Sequence, residues 1–287
     1  MGLVHTIGTA IQDVRHGVRV LRKSLGFAAA VVLTVALGVG ATTAVFSLVY
    51  AVVLRPLPYS GPDRLVNLWS SLPSMGLARA NVAAGPYRDW RAQNHVFDEM
   101  ALVRSIANFN LIGEGEPERL QGARVTASLF RVLGIQPIIG RAFREDEEQI
   151  GENRVVLLSH GLWKRRFGQN PEVVGRAINL SGVPHVVIGV MPSDFHYPAR
   201  EFELWTPLTI DPEEIRVRLG YDYLSVARLK RDKTLEQAQA DMNAIAARLA
   251  LEHPVPDTRQ VGIVVSRSDQ SDRISRQQRR SSQARQR

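Results

Sequence analysis

Few side chains in this sequence stand at spacings that could do chemistry. Histidine is the readiest general base and metal ligand near neutral pH, and seven occur singly, at 5, 16, 95, 160, 185, 196 and 253. None has the two-histidine helical spacing or the carboxylate partner that a metal site needs. Ser159 adjoins His160, which by type suggests a nucleophile and its base. Adjacent residues do not face each other on a helix, however, and no G-x-S-x-G elbow surrounds them, so Ser159 reads as a helix N-cap. The run Glu145, Asp146, Glu147 and Glu148 has the oxygen chemistry of a cation site, but reads more simply as a solvated loop. Lys164, Arg165 and Arg166 read as the wet face of a helix.

No glycine precedes Lys-Ser or Lys-Thr, so there is no P-loop and no ATP hydrolysis by that route. Gly38 and Gly40 approach a dinucleotide fingerprint, but Thr43 stands where it needs Gly or Ala. Cysteine is absent, which excludes thiolate nucleophiles, thiolate zinc sites and disulfides. The sequence therefore assigns no catalytic, cofactor-binding or metal-binding residue and calls for no cofactor. An anchored hydrolase would require the fold to gather an acid, base or nucleophile from among His95, His160, His185 and His196.

The chain has 287 residues, 45% hydrophobic and 22% charged, which excludes wholesale disorder. Its 36 Lys plus Arg exceed 28 Asp plus Glu by 8. Before Ser24, Arg15, Arg19, Arg22 and Lys23 stand against Asp13, a net of +3; after Ser266, seven arginines stand against Asp269 and Asp272, a net of +5. The body between is neutral and lacks the basic footprint of a nucleic-acid module. No nucleic-acid partner is expected.

Between residues 24 and 54 there is no charged side chain. A spanning helix needs about 20 apolar residues, because only a helix satisfies its own backbone in hydrocarbon. A secretory signal core runs about 7 to 15, so residues 25–54 are expected to be a retained transmembrane helix. The basic residues ahead of it place the amino terminus in the cytoplasm and the rest outside. Ala36, Gly40 and Ala44, four apart, suit close approach of another membrane helix. Ahead of the span, Ile7, Ile11, Val14, Val18 and Leu21 repeat at helical spacing among arginines. Residues 1–24 thus read as a basic amphipathic helix on the cytoplasmic membrane surface.

Prolines 56, 58 and 62 stop the membrane helix. Residues 55–266 then read as an extracytoplasmic α+β domain of one or two lobes. Strands are expected at 65–69, 155–158, 223–229 and 261–265. Hairpins are expected from 101–112 with 120–126, and from 176–180 with 185–190. Helices are expected at 86–94, with Tyr87 and Trp90 inward, and after Ser159, with Leu162, Trp163 and Phe167 on one face. The clearest helix starts at a capping box of Thr234 and Gln237 and carries a stripe of Leu235, Ala238, Met242, Ile245 and Leu249. The stretch after Pro207 reads as irregular. Residues 267–287 are mostly Arg, Ser and Gln with two Asp, one Ile and one Ala, cannot build a core, and are expected to be disordered.

Two longer segments carry a resemblance. Residues 37–69, LGVGATTAVFSLVYAVVLRPLPYSGPDRLVNLW, resemble the first membrane helix and exit of MacB/FtsX-type ABC transporter permeases. GRAF at 140–143, VVLLSHGLWKRRFG at 155–168 and NPEVVGRAINLSGVPHVVIGVMPSDFHYP at 170–198 resemble that family's periplasmic core domain, especially in ADOP-type permeases. The resemblance runs from Asp13 to Ser266. It implies an inner-membrane permease component that couples a separate cytoplasmic ABC ATPase subunit to an extracytoplasmic domain for export or efflux. Its partners would be that ATPase, other permease helices or a second permease copy, and the lipid membrane. The family continues into further membrane helices, whereas nothing after Leu54 is apolar enough to span, and Leu25 stands where proline is commoner. The expectation is therefore a truncated permease whose tail resembles translation in a shifted frame. The alternative is a single-pass anchored binding or scaffold module without transport activity.

Overall fold

The computed structural model describes residues 25–49, 59, 61–73, 76–113, 115–218, 220–253 and 262–267. The expected amphipathic helix at 1–24, the last residues of the span at 50–54, the proline exit at 55–58, prolines 254 and 256 and the tail from 268 lie outside the described residues. The chain divides into two units, Met1–Leu57 and Pro58–Arg287.

The first unit contains α1, Leu25–Val49, 25 residues without an acidic or basic side chain at either end. Its described side chains are exposed and mostly apolar, with Leu33 67%, Leu37 77% and Phe46 62% accessible. Thr34 and Thr42 turn their hydroxyls back onto the carbonyls of Ala30 and Gly38, each at 2.8 Å. Each bond satisfies the hydroxyl within the helix itself. Among the described residues, no helix is long and apolar enough to cross a membrane.

The second unit is built on one mixed sheet. In chain order its strands are β1 (Leu65–Leu72), β2 (Leu77–Ala80), β3 (Phe97–Ile112), β4 (Glu118–Val125), β5 (Ile139–Gly140), β6 (Val155–Leu158), β7 (Ala177–Leu180), β8 (Val183–Val190), β9 (Leu204–Pro207), β10 (Leu224–Leu229) and β11 (Gly262–Arg267). The order across the sheet is β11-β1-β10-β3-β4-β9-β6-β8-β5, with β2 on β1 and β7 joining β3 to β8. The pairs β4–β9 and β6–β8 are parallel, the others antiparallel.

Strand β3 is the spine. At 16 residues and about 3.3 Å each it reaches roughly 50 Å, and its two halves serve different cores. Met100 and Leu102 join Val66, Leu68, Ala227 and Leu229 under Tyr87 and Trp90 of α2 (Ala84–Gln93) and Met242 and Ile245 of α6 (Leu235–Glu252). Phe109 and Leu111 join Leu120, Val156, Val187 and Leu204 under Leu162, Trp163 and Phe167 of α4 (His160–Phe167). Between the halves the β3–β4 register shifts from Arg104 to Ala107, a bulge that bends the strand where one core gives way to the other. Two short helices complete the unit, α3 (Ser128–Leu133) and α5 (Pro212–Val217).

Local chemistry explains the elements that the sequence foretold. Ser159 Oγ accepts from Leu162 N at 3.0 Å, and Gly168 closes α4 at φ 58°. Thr234 and Gln237 form the capping box of α6. Ser181 and Gly182, both at positive φ, turn β7 into β8, as a two-residue hairpin loop requires. Three expectations need correction. The stretch after Pro207 is not wholly irregular, since Asp211 caps α5 with Pro212 at its first position. Strand β9 was not foreseen. It is short, and its place depends on parallel pairing with β4. Arg267 belongs to β11, not to the tail.

Candidate functional site: a polar junction beside the β3 bulge

The bulge on β3 is where polar side chains converge. Arg104, at its edge, donates from Nη2 to both oxygens of Glu214 at 2.9 Å and to the Tyr223 hydroxyl at 2.7 Å. Its guanidinium also lies 4.6 Å from the centre of the Tyr223 ring, a cation–π contact. The Tyr223 hydroxyl in turn donates to Glu214. Arg104 stands directly across the ladder from Arg124. That like-charge opposition would be unfavourable, and Glu214 offsets it. Burial alone would raise the Glu214 carboxyl, but the bonds from Tyr223 and Arg104 hold it below the usual range. Burial and the bond to Glu214 push the Tyr223 hydroxyl up.

Beside this triad, Arg218 pairs with Asp89 of α2 at 2.7 Å. Gly85 lets the first turn of α2 lie against α5, because an added Cβ would meet the Ile215 carbonyl oxygen at 2.4 Å. A long strand, two helices and the lead into β10 are therefore fastened at one point. Arg104, Glu214 and Tyr223 hold one another in charge-assisted bonds, while Arg218 and Asp89 form an ion pair. The junction holds elements together and carries no activated nucleophile.

The residues singled out in the sequence are placed apart. Ser159 serves as a cap, and His160 stands edge-on to Trp163 at 5.6 Å. His95 precedes β3, and its backbone meets Asp241 and Lys230. His185 lies on β8 with Nδ1 at 3.0 Å from the Val183 carbonyl, and His196 follows β8. Burial lowers the pKa of both His185 and His196. Among the described residues, no group of three or more His, Asp or Glu side chains could hold a metal ion.

The acidic run is a solvated loop only in its first half, where Glu145 and Asp146 are exposed. It forms a 3-10 turn, Glu145–Glu148, with Glu147 buried against Arg141 at 2.5 Å and accepting from Arg144 N at 2.8 Å, while Glu148 accepts from Ala127 N at 2.6 Å. Nor is the basic trio idle. Arg165 forks between Glu203 at 2.7 Å and Glu118 at 2.6 Å, tying α4 to β4 and to the start of β9. Arg104 and Glu214 escaped sequence reasoning because 110 positions separate them. The Asp211-Pro212 helix start was the one signal that could have placed Glu214.

Comparison with known proteins gives this architecture its family. The sequence matches the MacB-like periplasmic core domain over residues 28–245, and the chain belongs to that family. A domain from Porphyromonas gingivalis, described as part of a permease, superposes with a TM-score of 0.57 at 15% identity, over 73% of this chain and 92% of its own. The periplasmic region of MacB from Actinobacillus actinomycetemcomitans superposes with a TM-score of 0.52 at 16% identity, over 75% and 94%. No curated protein matches the sequence. The fold is that of a MacB-like core domain, and the family is one of ABC transporter permease components that work with an ATPase.

Proposed function

We propose that the chain is the membrane-anchored permease component of a MacB-like ABC transporter. Its amino terminus is cytoplasmic, residues 25–54 cross the inner membrane once, and residues 55–266 form the periplasmic domain. It acts by mechanical coupling: a separate cytoplasmic ATPase hydrolyses ATP, and the external domain changes shape to export substrate. The observation that carries this reading is the extent of the family match, which begins at residue 28, inside the uncharged helix, and runs on through the domain. Two features support it. The described side chains of α1 are exposed and mostly apolar, as suits a helix that faces lipid. Strand β1, the first of the domain, pairs with β11, the last, so that Val66 lies opposite Arg267 and the chain leaves the sheet at the end where it arrived.

The test is to isolate the tagged chain from solubilised membranes, probe for an ABC ATPase and compare ATP hydrolysis with and without the chain. A recovered ATPase whose rate depends on the chain is the expected result. A folded, membrane-bound chain that recovers no ATPase would overturn the reading in favour of an anchored binding module.

A further inference from the structure

Among the described residues, a buried arginine at the end where the chain reaches the sheet has no carboxylate paired with it. Arg228, on β10, is only 8% exposed. It points to the face opposite Ala227, which belongs to the first core. Its Nε donates to the Val132 carbonyl of α3 at 2.7 Å and its Nη1 to the Gly61 carbonyl at 3.4 Å, while Nη2 is buried without a partner. Asp98, the carboxylate that acts on it electrostatically, is paired with Arg64, which also donates to the Leu229 carbonyl at 2.8 Å. Burial, and then the neighbouring Arg64, lower the pKa of Arg228. A buried cation satisfied only by carbonyls, with one donor orphaned, works against stability. An apolar side chain of equal length would suit the core better.

We infer that Arg228 is a positioning residue whose task is coupling: it locks the lead-in turn at residues 61–64 to α3, so that the two move as one body when the membrane helix moves. The geometry fits a joint. Gly61 sits at φ +56°, and a Cβ there would touch Arg228 Nη1 at 3.4 Å, so the turn packs directly on the guanidinium. Leu65, the next strand residue, is the ladder partner of Arg228. One side chain thus spans the lead-in, β10 and α3. This inference rests on the permease reading above.

The sequence lacks cysteine, so spin labels at Asp63→Cys and Gln136→Cys, both exposed, report the lead-in-to-α3 distance in the full chain in lipid nanodiscs. Arg228→Met keeps the apolar stem and removes the charge; Arg228→Lys keeps the charge but reaches one carbonyl at most. The expected result is a melting temperature for Arg228→Met equal to or above wild type, with a broadened distance distribution. Stimulation of the co-isolated ATPase should fall by about fivefold or more, the low end of measured site-to-site couplings. Arg228→Lys should be intermediate in both. A Met variant that melts earlier makes Arg228 a structural residue and overturns the inference, as does an unchanged distance distribution. If wild type recovers no ATPase, the permease reading fails, while the distance measurement still decides whether the joint exists.

Discussion

Backbone conformation makes single glycines decisive here. Gly140 has φ +79° and its Cβ would lie 2.1 Å from the Ile188 carbonyl oxygen, whereas Gly182 has φ +88° with open space around it. Gly140→Ala is therefore expected to destabilise by more than ~2 kcal/mol, since strain and a backbone clash combine. Gly182→Ala should cost about 1 kcal/mol, from conformation alone. Denaturant titration of the two variants checks the contrast. Glu147 gives a pH signature. Burial would raise its carboxyl, but the bonds from Arg141 and Arg144 N outweigh that and hold it below the usual range. A depressed folded value means that its contribution is present above the unfolded carboxylate range and is lost as pH falls through the folded one. Glu147→Gln should lower stability at neutral pH by ~1–2 kcal/mol and flatten that acid loss; parallel melting curves from neutral to acid pH read both.

Elements with a local chemical signature were legible, and those defined by distant partners were not. Thr234, Ser159 and Gly168 act on residues within one turn, so their helices could be bounded from sequence alone. Thr234→Ala should cost about 1 kcal/mol, and amide exchange at the first turn of α6 should accelerate while that at the β7–β8 hairpin does not. Strand β9 has only four residues and ends in proline. What makes it a strand is the register Gly122 to Leu204 and Val125 to Pro207 with β4, which no local pattern announces. Glu147 and Glu148 of the acidic run departed from expectation for a similar reason. Its composition is that of a wet loop, and only the fold brings Arg141 and Ala127 N to it.

Across the domain, one sheet carries two cores, and the Arg104–Glu214–Tyr223 triad ties α5 and the lead into β10 to β3 on the side of the first core. Sequence reading reached the family and the mixed architecture through the segments 140–143, 155–168 and 170–198, which are turns and core anchors. It could not reach the junction, because Arg104, Glu214 and Tyr223 meet only once the sheet has formed. Glu214→Gln keeps the shape but weakens the bond to Arg104. It should lower the melting temperature by about 2–4 °C, the shift that ~1 kcal/mol produces in a domain of this size, with the difference shrinking as pH falls below the carboxylate range. The measurement that tests the central claim most directly is topology. Single cysteines at Ser193, exposed on the domain, and at Gln12, ahead of the apolar helix, are exposed in turn to a membrane-impermeant maleimide in spheroplasts. The account predicts labelling at Ser193→Cys without lysis and at Gln12→Cys only after it. Protection of Ser193→Cys until lysis would contradict a periplasmic core domain.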